Sequence, residues 1–305
     1  MRVRSERHDS PKPHLWEVTT TMETPAGPLT QIKVLPKDGG EGRIREHYVK
    51  TVEDARGWLS VPDRKVAAGV ASYFDLARAT GDRALLMVSI PHALYTVQQL
   101  TGSETLAFWF TDERALLREM VDRAFAHVEA LAKHYLAHGI GDCYGWVGPE
   151  VCIPPLASPR DFREFVVEYD RRIAGLVHDA GKLVWVHCHG DMNPVLEGFI
   201  EIGTDCLNPI EPPPTGKLTL TDAKRRAGGR LCLEGGVQQS DFDLLAPPLM
   251  ACRVEAVVAE GKPGGGFILC PTASPMTWPS LNERHTSNYR AFVETAIRLA
   301  SYRQS

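Results

Sequence analysis

The sequence has no apolar run approaching the ~20 residues that a membrane-crossing helix needs, so it offers no candidate span. Behind Arg2, Arg4 and Arg7 there is no apolar segment, and no secretory signal is expected. Basic runs are equally scarce. None is longer than Lys224-Arg225-Arg226, and the formal net charge is −4, which removes the electrostatic case for nucleic acid or an anionic membrane surface. That short cluster reads as a solvated helix face. The 7 cysteines are scattered without a CxxC pair. An odd, dispersed set argues against a disulfide framework and leads us to expect a reducing, cytoplasmic compartment. There is no repeat of fixed period and no low-complexity tract.

What the sequence does have is 305 residues with 43% hydrophobic and 24% charged content, enough for a large buried core. Residues 1–60 differ from the rest. Two extended runs lie within 14–35, separated by the turn Pro25-Ala26-Gly27, and a loop from Lys37 to Gly42 follows. This section reads as an appended extended arm, a lid or an oligomer contact, and composition leaves the three open.

Over 61–305, short β-like runs alternate with amphipathic helices, the pattern of a parallel sheet. Strands are expected at 84–90, 141–147, 183–189, 205–210, 230–234 and 267–270. Helices are expected from Thr111 to Gly139, from Ser158 to Gly181, from Asp191 to Ile202, and near 219–227, 248–260 and 284–302. Several carry a capping residue in front and a glycine behind, as Ser158-Pro159 and Gly181 do. Periodicity leaves open whether the sheet closes into a barrel or is doubly wound.

In a parallel α/β barrel the reactive groups gather at the C-terminal ends of the strands. This sequence places Glu150, His187, His189, Glu211, Glu234, Gln238 and Cys270 in that layer. Strand 183–189 says most. Trp185, His187 and His189 alternate with Val184, Val186 and Cys188, so the apolar set suits the helix layer and the histidines the mouth. Two histidines at i and i+2 can share a metal, or serve as a proton donor and an orienting group. A lone strand-end histidine is more often merely polar; two facing inward shift the balance. Cys270, by itself a core type of residue, could complete a His₂Cys site with an open fourth position. Glu150 and Glu211 are candidates for general acid, fourth ligand or substrate contact, against the plainer reading of solvated carboxylates. Asp142 and Glu234 are weaker candidates. Tyr95, His92 and Gln238 are candidate pocket-lining residues, with Trp146, Trp185 and Trp278 as aromatic walls.

The segment His187-Cys188-His189-Gly190, followed by Gly203-Thr204-Asp205 and by Leu233-Glu234-Gly235-Gly236, resembles the uroporphyrinogen decarboxylase superfamily. There, a strand ending in His-x-Cys-Gly precedes a Gly-x-Asp strand and a Leu-x-Gly-Asn strand. The run Gly265-Gly266-Phe267-Ile268-Leu269 and the Asn288-containing helix fit the same order, over roughly residues 80–300. The resemblance implies a (β/α)₈ TIM barrel. The Arg-rich loop and the early Asp of the true decarboxylases are missing, since the region after strand 84–90 reads Pro91-His92-Ala93-Leu94-Tyr95.

The resemblance is closer to the superfamily's corrinoid-linked methyltransferase branch, whose zinc is held by the His and Cys of His-x-Cys-Gly and a later Cys. It implies Zn²⁺ on His187, His189 and Cys270, with His189 in the middle ligand's place. Imidazole for thiolate would make the metal a stronger Lewis acid. The expected activity is methyl transfer, activating a small thiol or methylated compound. A corrinoid would sit on a separate protein, because no corrinoid domain is fused here. The alternatives are a metal-free decarboxylase using the histidines as proton donors, with Arg230, Arg253 and Arg284 as its candidate cations, and a non-catalytic ligand-binding barrel.

Overall fold

The computed structural model describes residues 2–40, 42–63, 66–275 and 281–301. Trp278, one of the candidate aromatic walls, lies outside them. The chain divides into two compact units, Met1–Gly69 with Pro91–His134, and Val70–Ile90 with Tyr135–Ser305.

The first unit begins with a four-stranded antiparallel sheet in the order β1 (Val3–Asp9), β2 (Leu15–Thr24), β3 (Gly27–Pro36) and β4 (Arg43–Glu46). β2 and β3 are the two extended runs read from the sequence. They pair from Leu15↔Pro36 to Thr24↔Gly27 around a tight turn at Pro25-Ala26. Gly27, at φ 120°, takes the positive angle that the turn demands. Helix α1 (Val52–Leu59) starts at a capping box between Thr51 and Asp54.

In the second unit, α2 (Ala71–Thr80) leads to β5 (Met87–Ser89). The first unit then contributes α3 (Ala93–Trp109), and α4 (Arg114–Ala137) begins there. The second unit continues with β6 (Cys143–Val147), a 3₁₀ turn at Pro149–Cys152, and α5 (Pro159–Phe162), which runs through a π turn into α6 (Glu168–Asp179). The remaining elements are β7 (Leu183–His187), α7 (Leu196–Ile202), β8 (Cys206–Ile210), α8 (Leu220–Ala227), β9 (Cys232–Val237), α9 (Asp241–Leu244), α10 (Pro247–Gly261), β10 (Phe267–Pro271) and α11 (Glu283–Leu299).

Six strands form one parallel sheet in the order β10-β9-β8-β7-β6-β5. Each new strand adds beside the one before it, and the order never reverses. That excludes the doubly wound alternative, which needs a switch point, and gives a TIM-barrel-like sheet. Among the described residues β5 and β10 are its two edges. The helix layer covers one face of each strand: Val184, Val186 and Cys188 are fully buried, as are Leu207 and Leu233. Fully burying a valine or leucine side chain stabilises by about 1.5–3 kcal/mol, so this alternation fixes which residues are left for the other face.

Several expected boundaries move: the strand expected at 183–189 ends at His187, and the helix expected from Asp191 begins at Leu196. The strand expected at 84–90 keeps only Met87–Ser89 in register with Cys143–Gly145. β9 runs past Glu234 to Val237, because Gly235 and Gly236 belong to the strand and not to the corner after it. A Cβ on Gly235 would lie 2.6 Å from the Ile210 nitrogen, and the register of β8 against β9 shifts at that point. Only glycine admits so close an approach of two backbones.

Candidate functional site

At the end of β7 the backbone alternation carries His187 and His189 to the side opposite the helices, half-buried, beside Trp185. Trp185 and His187 stack at 5.8 Å between ring centroids, and His187 meets His189 edge-on at 4.6 Å. The two imidazoles have different partners. His187 lies opposite Asn208 in the β7–β8 register and its Nδ1–H donates to Asn208 Oδ1 at 2.6 Å. His189 Nδ1 faces Glu211 Oε1 at 3.6 Å. Glu211 is held in turn by the Gly190 backbone N–H, which donates to its Oε2 at 2.6 Å. The Glu211 carboxylate raises the pKa of His189 above its ordinary value, and partial burial of the ring opposes that rise.

Glu150, on the 3₁₀ turn after β6, joins the same cavity of about 370 Å³ with Ile153, Pro154, Pro155, Leu156, His189, Gly190, Glu211 and Thr215. Its Oε2 is buried and has no hydrogen-bond partner. So Glu150, His189 and Glu211 come together, as the sequence led us to expect of a strand-end layer. Two carboxylates and an imidazole on the rim of a cavity can hold, deliver and accept a proton.

The other expected site residues lie elsewhere. Cys270 is on β10, three strands from β7, and its thiol bonds to Glu234; burial, then that carboxylate, pushes its pKa up to about 11. Glu234 also accepts Trp185 Nε1–H at 2.8 Å and the Cys206 thiol at 3.6 Å. Cys206 and Cys232 are direct neighbours across β8 and β9. Their mutual hydrogen bond lowers the pKa of Cys232 and raises that of Cys206. Among the described residues no three His, Cys, Asp or Glu side chains are grouped to hold a metal ion.

Trp146 is no wall of this cavity. It lies opposite Val186 in register, on the helix side, and its indole N–H donates to Asp170 of α6 at 2.7 Å. Gln238 bridges two loops, giving a hydrogen bond to the Pro212 carbonyl at 2.8 Å and taking one from Thr272 at 3.2 Å. Tyr95 sits in the first turn of α3, in the first unit, where its N–H donates to the capping ring of His92. Asp142 caps the start of β5 by accepting from the Leu86 N–H at 3.0 Å.

Sequence reasoning missed Asn208, Thr215 and the wall from Ile153 to Leu156. Asn208 was within reach. It is the residue opposite His187 once β7 and β8 are aligned, and its side chain falls on the same face.

Among solved structures, a methyltransferase from Methanosarcina mazei superposes with a TM-score of 0.60 at 17% identity, covering 86% of this chain and 73% of that one. At that identity the likeness speaks for the fold. A putative orotidine 5'-phosphate decarboxylase from Streptomyces avermitilis ma-4680 matches at a TM-score of only 0.32 and 14% identity, over 79% of this chain and 100% of the other, too low to support an argument. No curated protein matches the sequence. The uroporphyrinogen decarboxylase (URO-D) family model matches residues 36–296, nearly the whole of the chain and all of the site just described. The strand order, the strand-end layer and this match agree: the chain belongs to the uroporphyrinogen decarboxylase family.

Proposed function

We propose that the chain is a methyltransferase-like enzyme acting on a small thiol or methylated compound in the Glu150–His189–Glu211 cavity. The observation that carries the reading is the His189–Glu211 pair opening onto that cavity, with the imidazole biased toward its protonated form. When a methyl group leaves a heteroatom, the electron pair stays behind and the heteroatom takes up a proton. His189 is placed to supply it, Glu211 to stabilise the imidazolium, and the Gly190 N–H to fix Glu211. In the opposite direction the neutral imidazole accepts the proton of a thiol as it becomes a thiolate. Proton transfer of this kind contributes roughly 10²–10⁴-fold to rate.

A corrinoid on a separate protein would supply the other methyl-carrying centre. No step is assigned to a zinc ion, because among the described residues no three His, Cys, Asp or Glu side chains are grouped to hold one. The same reading takes the six-stranded sheet as part of a closed eight-stranded barrel. It also takes the free state of all seven cysteines as support for a cytoplasmic location.

The carboxy-lyase reading draws on the same raised pKa, since an imidazolium can also protonate a carbanion. It needs cations for the substrate, and its candidates are elsewhere. Arg230 bonds to the Ala227 carbonyl, Arg253 pairs with Asp241 at 3.3 Å, and Arg284 is 3.5 Å from the Asp243 carbonyl. The test is turnover of a panel of methylated nitrogen, oxygen and sulfur compounds with free cobalamin, chemically reduced to cob(I)alamin, as methyl acceptor, followed by its visible spectrum. Turnover that falls at least about 100-fold in His189→Ala is expected. Equal turnover in the variant would sink the role of His189. Carbon dioxide release from a carboxylated substrate would move the assignment to the lyase, and no turnover with retained ligand binding to a non-catalytic barrel.

A further inference from the structure

The geometry points to a small methylated ammonium as the substrate class of this cavity, an inference that rests on the methyl-transfer reading and narrows it. Glu211 is provided for: one oxygen accepts from the Gly190 N–H at 2.6 Å, and the other faces His189 at 3.6 Å. Glu150 is not. Its Oε2 is buried in the structure with no donor at all. A buried carboxylate oxygen without a donor is among the costlier arrangements a protein can hold, about 1–3 kcal/mol for an unmet hydrogen bond and more when charged. No lysine or arginine lines the cavity to relieve it. Two carboxyl groups thus share the cavity with one imidazole and no cationic side chain.

Each ligand class meets that arrangement differently. A carboxylate, sulfonate or phosphate would bring a further negative charge against an acidic cavity and leave Glu150 without a donor. A methyl ether or thioether would fill space and still leave the oxygen unpaired. A protonated tertiary or secondary amine supplies both missing parts, an N–H for Glu150 Oε2 and a positive charge. Its methyl groups would meet the apolar wall of Ile153, Pro154 and Leu156. The chemistry balances on this substrate. The carbon–nitrogen bond would break with its electron pair left on nitrogen, and a reduced, nucleophilic corrinoid on the separate protein would be the methyl acceptor. The neutral amine so formed takes the His189 proton and leaves as an ammonium.

The test is calorimetric titration of the full-length protein with three probes of similar size: trimethylammonium, neutral tert-butanol and anionic isobutyrate. Trimethylammonium should bind the wild type, and Glu150→Gln should weaken it at least about tenfold, the loss of one charge-assisted hydrogen bond. Isobutyrate should not bind, and tert-butanol should bind equally weakly to both proteins. An unchanged thermal melt shows that the variant is folded. Isobutyrate binding as tightly as trimethylammonium, or unchanged trimethylammonium affinity in Glu150→Gln, overturns the inference. The two readings fail separately. Methyl transfer from an ether or thioether without ammonium binding sinks this inference alone, whereas ammonium binding without transfer from any methylated compound sinks the methyl-transfer reading.

Discussion

Glu234 and Glu150 are both half-buried glutamates of the second unit, yet their surroundings are opposite. Glu234 receives an indole N–H and a thiol, and Cys270 bonds to it as well. Glu150 has a buried oxygen that receives nothing. A carboxylate whose donors all come from its own chain has become part of the framework. One left without donors in a cavity is shaped for something that arrives. The contrast separates two regions: an interior knot of Trp185, Cys206, Cys232, Glu234 and Cys270 that holds strands together, and a mouth of Glu150, His189 and Glu211 to which the proposed chemistry is assigned.

The largest expected effect belongs to the mouth. His189→Ala should lower kcat for methyl transfer by about 10²–10⁴-fold and leave the urea midpoint almost unchanged; a midpoint shift as large as that of a core variant would merge the two regions. Next comes the knot. Glu234→Ala strands the Trp185 indole N–H and should cost about 1–3 kcal/mol of unfolding free energy, measured by urea denaturation. Glu150→Gln should stay within about 0.5 kcal/mol of wild type, and equal losses in both variants would break the comparison.

The pH response is smaller. The folded-state pKa of His189 lies above its ordinary value of 6.5, so the pair with Glu211 contributes its full stability below that value. The contribution is lost as pH rises through the raised, folded-state pKa. The ring is 40% exposed, so the effect should stay under about 1 kcal/mol. It should show as a difference in melting temperature between wild type and His189→Gln that is present near pH 5.5 and gone near pH 9. The opposite trend would mean that Glu211 does not face a protonated ring. Smallest of all, Cys270→Ala should leave the zinc content of the purified protein unchanged by elemental analysis, and loss of stoichiometric zinc would restore the His₂Cys ligand set.

Much of this fold could be read in the sequence because its signals are local. Ser158, Pro159 and Asp161 mark a helix start whose capping hydrogen bonds all form, and Gly203 closes α7 in the left-handed conformation. The face alternation of β7 needed only a period of two. α3 escaped because its apolar residues do not keep to one stripe, and the non-helical backbone at Gly102 breaks its period. The site was legible as a layer and not as a set of contacts. Glu150, His189 and Glu211 follow from strand ends alone. The engagement of Cys270 by Glu234, and the turning of Trp146 to Asp170, depend on register across strands far apart in sequence. Aligning β6 with β7 supplies that register for Trp146 and places it with the buried Val186.

The proton-handling pair and the apolar wall of the cavity are carried by different connections. His189 and Glu211 follow β7 and β8, whereas Ile153, Pro154 and Leu156 belong to the segment between β6 and α5. Substitutions in that segment can alter which methylated group fits without touching the group that moves the proton. On the proposed reading, substrate range can change through residues 153–156 while the reaction stays fixed, and those residues are where an engineer would begin.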